Sequence, residues 1–448
     1  MIRRVVLVVV SLSLMAAACG SDEPGAAPET ATSTTTEPPV VLTASDIGVT
    51  PEVIRLGFLG IDFDILRELG LVDINRGDFN QIVDAFVDDL NNRGGIHGRM
   101  VESTVVEVSP VDMIGADEAC IRLTEDVEVF AVLGGLVGPT ASANPCFTTQ
   151  QNTIMIGGAP STDEREAATA PWISSQAGPD THFPAALKLM QSEGLLDGRV
   201  GVSWDITEDR MAQDLVLPAL TDLGIDVAGT YVQDTQEGDA FAGQVEWETI
   251  FQLIERDEVE TMLMLEVTAN FGAHQLLANG FEGGMLVLDN TSITATIGTR
   301  RQSELEDLAH IIGTGWLDSP EAWAQEVTQE CVAVFEATNP DITVLQSNTV
   351  PQGEPNWSAS IASVCNYMRM FEWGAHNAGP ELTQETFVTG IEEIGAFDLV
   401  GQGPALLGPG RHSAGNATRL VQFDPTDLPD GGTRPIGPLL TYDEIAAS

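Results

Sequence analysis

The residues best suited to touch a small molecule lie in short segments that follow apolar runs. These are Gly60–Phe63, Gly134–Thr140, Gly157–Thr162, Trp204–Arg210, Glu266–Phe271 and Asp289–Thr291, and most are rich in glycine and small polar residues. Glycine lets backbone N–H groups approach a ligand, and a helix that starts just after such a turn favours an anionic group. The chemistry on offer is recognition rather than bond breaking. The chain has no G-x-S-x-G, no H-E-x-x-H and no P-loop. Its six histidines, His97, His182, His274, His310, His376 and His412, are scattered without metal-ligand spacing. Paired acids are frequent, but 67 acids make chance pairs inevitable, so no glycosidase-like carboxylate pair follows from them. The sequence therefore reads as a binder without cofactor or metal, and not as an enzyme.

Those segments need elements to hold them. Val53–Leu59 is a β-rich run ending at Gly60. In 79–92 the apolar residues Phe79, Ile82, Val83, Phe86, Val87 and Leu90 recur at helical spacing, and Arg93-Gly94-Gly95 stops the helix. A strand over 101–108, a helix over 117–125, a strand over 129–133, a helix around 142–151 and a strand over 153–156 follow. A second series has strands over 200–204, 227–232, 261–265 and 285–288, with helices over 211–223, 249–256 and 272–279 between them. Short apolar strands alternating with helices imply βαβ units and parallel sheets buried on both faces. Two such series, divided near 172–183, predict an α/β protein of two doubly wound lobes. In such sheets a ligand binds beyond the carboxyl ends of the strands, where the segments named above fall.

Composition narrows the partners. Lys plus Arg number 19 against 67 Asp plus Glu, for a formal net charge of −48, and Lys188 is the single lysine. Such a surface repels nucleic acid phosphates and anionic headgroups. A hydrophobic fraction of 43% argues against wholesale disorder. The acid excess is most simply a solvated outer surface, as at Asp84, Asp88 and Asp89, since 134–140 and 157–162 contain no acid.

The first residues read as an address. Arg3 and Arg4 precede Val5–Met15, an apolar run too short at about 1.5 Å per residue to cross a core of about 30 Å. It reads as an export signal over 1–18. Ala16-Ala17-Ala18-Cys19 resembles a bacterial lipobox, in which Cys19 is lipidated; the same triplet also suits ordinary signal peptidase and release. Residues 19–52 then form the lipidated cysteine and a tether, rich in Pro, Thr, Ser and Ala. With Cys19 set aside, Cys120, Cys146, Cys331 and Cys365 remain, and export permits disulfides. Four cysteines allow three pairings; the sequential one, 120–146 and 331–365, closes loops of moderate length, and free buried thiols are the alternative.

Longer motifs carry a family resemblance. AFVDDLNNRGGIHGRMVE (85–102), FAVLGGLVGPTASA (130–143), IMIGGAPST (154–162) and LLGPGRHSAGNATRLVQF (406–423) resemble, in order, segments of the type I periplasmic binding proteins. The similarity is to the branched-chain amino acid receptors (Leu/Ile/Val-binding-protein-like) of ABC transporters, over roughly 53–441. It implies two lobes joined by a three-segment hinge: 53–176 plus 292–398, and 177–291 plus 399–448. It implies a monomeric receptor that captures a small polar ligand (an amino acid or related amide or carboxylate) between the lobes. Such a receptor delivers its ligand to permease subunits and touches the membrane only through its lipid. A surface lipoprotein that senses ligand without transport is the alternative. In the first lobe the resemblance places Ala159 at an ammonium-binding carbonyl and Ser161 at a carboxylate-binding hydroxyl. Gly138 stands where a serine is expected, with Leu136 and Thr140 beside it. In the second lobe Trp204, Asp205, Glu266, Thr268 and Asp289 are the candidates, although the family's aromatic and acidic contacts there are poorly matched.

Overall fold

The computed structural model describes residues 41–68, 75–110, 112–234, 240–288, 306–351, 353–424 and 432–448. The signal, Cys19 and residues 20–40 lie outside them. Met1–Val41 and Leu42–Ser448 are separate units, and the second is the folded body.

The first sheet is parallel, in the order β2-β1-β3-β4-β5, from Val53–Ile61 (β1), Met100–Val108 (β2), Ala131–Leu133 (β3), Ile154–Ile156 (β4) and Trp172–Ile173 (β5). Strand alternation divides its side chains between two layers. Ile54, Leu56, Phe58, Ala131, Leu133, Ile154, Ile156 and Ile173 enter one core, with helices Phe79–Asn92, Glu326–Thr338 and Trp357–Ala378. Leu59, Val132, Met155 and Trp172 enter the other, with Cys120 and Leu123. The second sheet contains Val200–Asp205 (β6), Val227–Gln233 (β7), Thr261–Met264 (β8), Gly284–Val287 (β9), Ile311–Gly315 (β10), Ala417–Asp424 (β13) and Gly432–Pro435 (β14). Its order is β14-β13-β10-β9-β8-β6-β7, and Leu440–Thr441 (β15) pairs with β13. β6 to β10 are parallel, and β13 runs antiparallel to β10. A separate hairpin joins Gly395–Leu399 (β11) to Gly403–Leu407 (β12).

The helix Phe79–Asn92 forms where its spacing predicts. Asp78 caps it, accepting from Asn80 N at 3.0 Å, and Ile82, Val83, Phe86, Val87 and Leu90 are buried. The Gly94-Gly95-Ile96-His97-Gly98-Arg99 stretch then folds back on itself, with Ile96 and Arg99 exchanging backbone hydrogen bonds of 2.9 Å. The turn places Arg99 inside at 0% exposure, donating to Thr50 O (2.7 Å), Pro380 O (2.9 Å) and Thr43 O (3.1 Å). This corrects the expected tether over 19–52: from Thr43 on the chain is fastened to the body, because Arg99 needs its carbonyls. Ser45 Oγ adds a bond to Leu382 O at 2.5 Å.

Three crossings connect the lobes. Ser174 N donates to His412 O (2.9 Å) and Ala414 N to Ser174 O (2.8 Å), so the first and third crossings run side by side. A side chain at Gly415 would lie 2.7 Å from Ala177 N, so the approach requires glycine there. The second crossing follows Gly315, whose carbonyl accepts from Thr418 Oγ1 at 3.2 Å. Two segments thus sit on the opposite side from the sequence expectation. β10 belongs to the second sheet, so the change of lobe does not fall at 291/292. Leu399, Val400, Ala405, Leu407 and Ala414 pack in the first core, so it does not fall at 398/399 either. Nothing in the composition of IIGTG or GPALL separates one core from the other.

The disulfides are Cys120–Cys146 and Cys331–Cys365, the sequential pairing. No helix among the described residues is long and apolar enough to cross a membrane.

Candidate ligand cleft

The candidate cleft is the space between the carboxyl ends of the two parallel sheets, which a contact from the segment after β6 to the helix after β4 brings together. On the first-lobe wall the two glycine pairs meet backbone to backbone. Gly134 N donates to Ile156 O (2.9 Å) and Gly157 N to Ile173 O (2.8 Å), with φ of 110° and 155°. A Cβ on Gly157 would overlap the Gly134 carbonyl, and one on Gly135 would sit 2.6 Å from Gly158 N. These glycines are required by the contact between the loops.

The polar groups nominated on this wall are engaged inward. Leu136 N donates to Asn144 Oδ1 (2.9 Å), while Leu136 O accepts from Asn144 Nδ2 (3.1 Å). Thr140 is 1% exposed and its hydroxyl donates to Val137 O at 2.8 Å. Ser161 caps the helix Thr162–Ala167 in a capping box; its N–H and hydroxyl both donate to Glu164 Oε2, at 2.8 and 2.9 Å. Gly138, at φ 60°, and Ala159 are exposed.

The second-lobe wall departs further from expectation. Trp204 is a core residue at 1% exposure, because alternation along β6 sends Val200, Val202 and Trp204 to the same layer; its indole N–H donates to Asp209 Oδ1 at 3.0 Å. Asp205 is fully buried and accepts from Thr207 N at 3.0 Å as a cap. Thr268 is also fully buried, its hydroxyl within 3.0 Å of the Ser203 and Leu265 carbonyls. Asp289 and the side chain of Glu266 lie outside the described residues. Trp204, Asp205 and Thr268 thus build the wall and do not present their polar groups to the cleft.

The walls touch through a pair the sequence did not single out. Arg210 Nη2, on the segment after β6, bonds Asp163 Oδ2 on the helix after β4, each side chain 70% exposed. Arg210 Nε also lies 3.6 Å from Asp214 on its own lobe. Near the hinge, Arg165 donates to Ser413 Oγ at 2.6 Å; burial lowers its pKa, opposed by Asp180 and Glu164. On β13 Arg419, 5% exposed, pairs with both carboxylate oxygens of Glu321, on the segment that returns from the second crossing. Hydrogen bonding from Arg419 holds the Glu321 carboxyl below its ordinary 4.5. The pair's stability is therefore fully present above that value and is lost as pH falls through the lower folded-state pKa. Glu321→Gln is expected to cost about 2 kcal/mol, below the roughly 3–5 of a fully buried pair because Glu321 is half exposed. Urea unfolding at pH 7 and pH 3 checks this: the variant's deficit must shrink at the lower pH.

A groove of about 460 Å³ on the first lobe, lined by Arg55, Asp84, Asp88, Asn91 and Glu102, is a different place. It sits at the starts of β1 and β2, away from the strand ends, and its charged groups are solvated. Among the described residues no group of three His, Cys, Asp or Glu side chains is arranged to hold a metal.

Two doubly wound lobes, three crossings and a cleft at the strand ends define a hinged two-lobed receptor. The sequence matches the family described as periplasmic binding protein over residues 70–432, and the chain belongs to that family. A search of curated proteins finds no significant match. Among solved structures, a leucine-binding protein from Thermotoga maritima is similar at 13% identity and TM-score 0.61, over 87% of this chain and 99% of that one. A fatty acid ABC transporter substrate-binding protein from Thermomonospora curvata gives 14% and 0.62, over 91% and 97%. An ABC transporter solute-binding protein from R. palustris, in complex with 4-hydroxybenzoate, gives 12% and 0.64, over 87% and 97%. At such identities these show the fold. The resemblance read from the motifs holds: this is a type I periplasmic binding protein, an extracytoplasmic ligand-binding class and not an enzyme.

Proposed function

We propose that the protein is an extracytoplasmic solute-binding lipoprotein of an ABC transporter. It captures one small molecule of the amino acid, amide or carboxylate class between its lobes and presents it to permease subunits. The observation that carries this reading is the pair of strand-end walls facing each other across a three-stranded hinge, already bridged at Arg210–Asp163. Ligand touching both walls binds the closed state better than the open one and shifts the population toward it. The lipobox-like Ala16–Cys19 supports a lipid anchor, with residues 20–42 as spacer. The similar leucine-, fatty acid- and 4-hydroxybenzoate-binding structures support a transport role over sensing alone.

The mature domain is expected to gain about 4 kcal/mol of stability from its ligand at 1,000 times the dissociation constant. A thermal-shift screen of amino acids, amides, and aliphatic and aromatic carboxylates reads this out. A flat response across the whole library rejects solute capture.

A further inference from the structure

Acidic residues crowd both segments that make the contact between the walls. On the first lobe the stretch after β4 carries Asp163, Glu164 and Glu166. Its one base, Arg165, is turned toward the hinge, donating to Trp172 O (3.3 Å), Pro160 O (3.4 Å) and Ser413 Oγ (2.6 Å). On the second lobe the stretch after β6 carries Asp205 and Glu208, both buried, and then Asp209 and Asp214. Arg210 stands among them as the one basic residue between Arg199 and Arg256. Without it, closing the lobes would set acid against acid. With it, the guanidinium bonds Asp163 on the far wall and keeps Asp214, 3.6 Å from Nε, on its own.

A second ion pair joining the lobes behaves differently. Arg419 lies opposite Gly315, where the second crossing begins, so rotation about the crossings leaves Arg419 and Glu321 together. Asp163 and Arg210 follow the carboxyl ends of β4 and β6, on the walls that such rotation parts, and each side chain is 70% exposed.

We infer that Arg210 is a positioning residue for closure: its guanidinium is an electrostatic clasp that turns repulsion between the two strand-end segments into attraction, and salt loosens it. When the walls part, Arg210 keeps Asp214, so opening costs it one carboxylate partner of two. An exposed contact of this kind shifts the closed-to-open ratio by about 2–5-fold. The clasp is made by the protein's own groups; only the use to which closure is put rests on the solute-capture reading.

Paired spin labels measure the clasp with no ligand present. In the mature chain carrying Cys19→Ser the four remaining cysteines are paired, so Ala167→Cys and Gln213→Cys supply two free thiols at exposed positions, one on each lobe. Distance distributions are compared between about 0.01 M and about 1 M sodium chloride, over which the screening length falls from ~30 to ~3 Å. With Arg210 in place the short-distance population falls as salt rises, by about 2–5-fold. Arg210→Gln starts with a smaller short-distance population at low salt, and that population grows with salt, because what salt then screens is repulsion. Arg210→Asp combined with Asp163→Arg reverses the pair and recovers most of the original population together with its salt dependence. Three results overturn the inference: no salt dependence with Arg210 in place, Arg210→Gln following the same curve, or a reversed pair no better than Arg210→Gln. Each of them leaves solute capture standing, because the thermal-shift screen decides that separately.

Discussion

Replacing Cys331 and Cys365 together by alanine lowers the unfolding free energy of the first lobe by about 4 kcal/mol. The bond joins helix Glu326–Thr338 to helix Trp357–Ala378 and closes a loop with a sequence separation of 34. Without it the unfolded chain regains the freedom of that loop, which sets the size of the loss. Both cysteines are buried, at 1% and 4%, in the core that holds Phe86, Val332, Phe335 and Met368. Alanine therefore also leaves unfilled volume, which adds to the deficit. Cys120–Cys146, with a separation of 26, is worth about 3.5 kcal/mol on the same reasoning. Urea unfolding of oxidised wild type and the double-alanine variant measures the difference. A loss under 1 kcal/mol means the helix packing holds these residues unaided.

Gly157→Ala carries the second large effect, and it reaches function as well as stability. The new methyl would overlap the carbonyl of Gly134, a backbone atom fixed by the hydrogen bond from Gly134 N to Ile156 O. The residue also holds φ at 155°, where L-residues are strained. Together these should cost about 3 kcal/mol, and relief requires loop 157–162 to part from loop 134–140. Ligand affinity then falls with stability, since both loops form the first-lobe wall. Gly94→Ala is the control: φ is 103° there, but nothing lies within 4 Å of the added carbon. It should cost only the strain, about 1 kcal/mol. If the two variants lose equal stability, the contact between the loops is not what demands glycine.

Much of the architecture was legible in the residues, and the failures have physical causes. Period-3.6 spacing placed Phe79–Asn92, and continuous apolar runs placed the parallel strands, because both faces of each sheet are covered. The strand ends also mark the candidate cleft. They did not give the direction of side chains. Trp204 closes an apolar run and looks like a ligand platform, yet parity along β6 turns it into the core. Thr268 and Ser161 offer hydroxyls at helix starts, and helix starts satisfy those hydroxyls locally. The stretch around Gly95–Arg99 was informative as a family motif, but its physical task depends on carbonyls at Thr43, Thr50 and Pro380, which no local pattern could connect.

The threefold passage of the chain between the lobes also dictates when the molecule can fold. β13 pairs with β10, Thr314 lying opposite Leu420, and Arg93 grips Glu372 across 279 residues of sequence. Each lobe is therefore closed by a late segment of the chain. Contacts this distant must wait for slow loop closure, so folding is slow and neither lobe completes early. For a chain threaded unfolded across a membrane, that order of events is protective: until the residues of β13 arrive, the second sheet lacks the strand that covers β10, and nothing stable enough to jam the passage has formed.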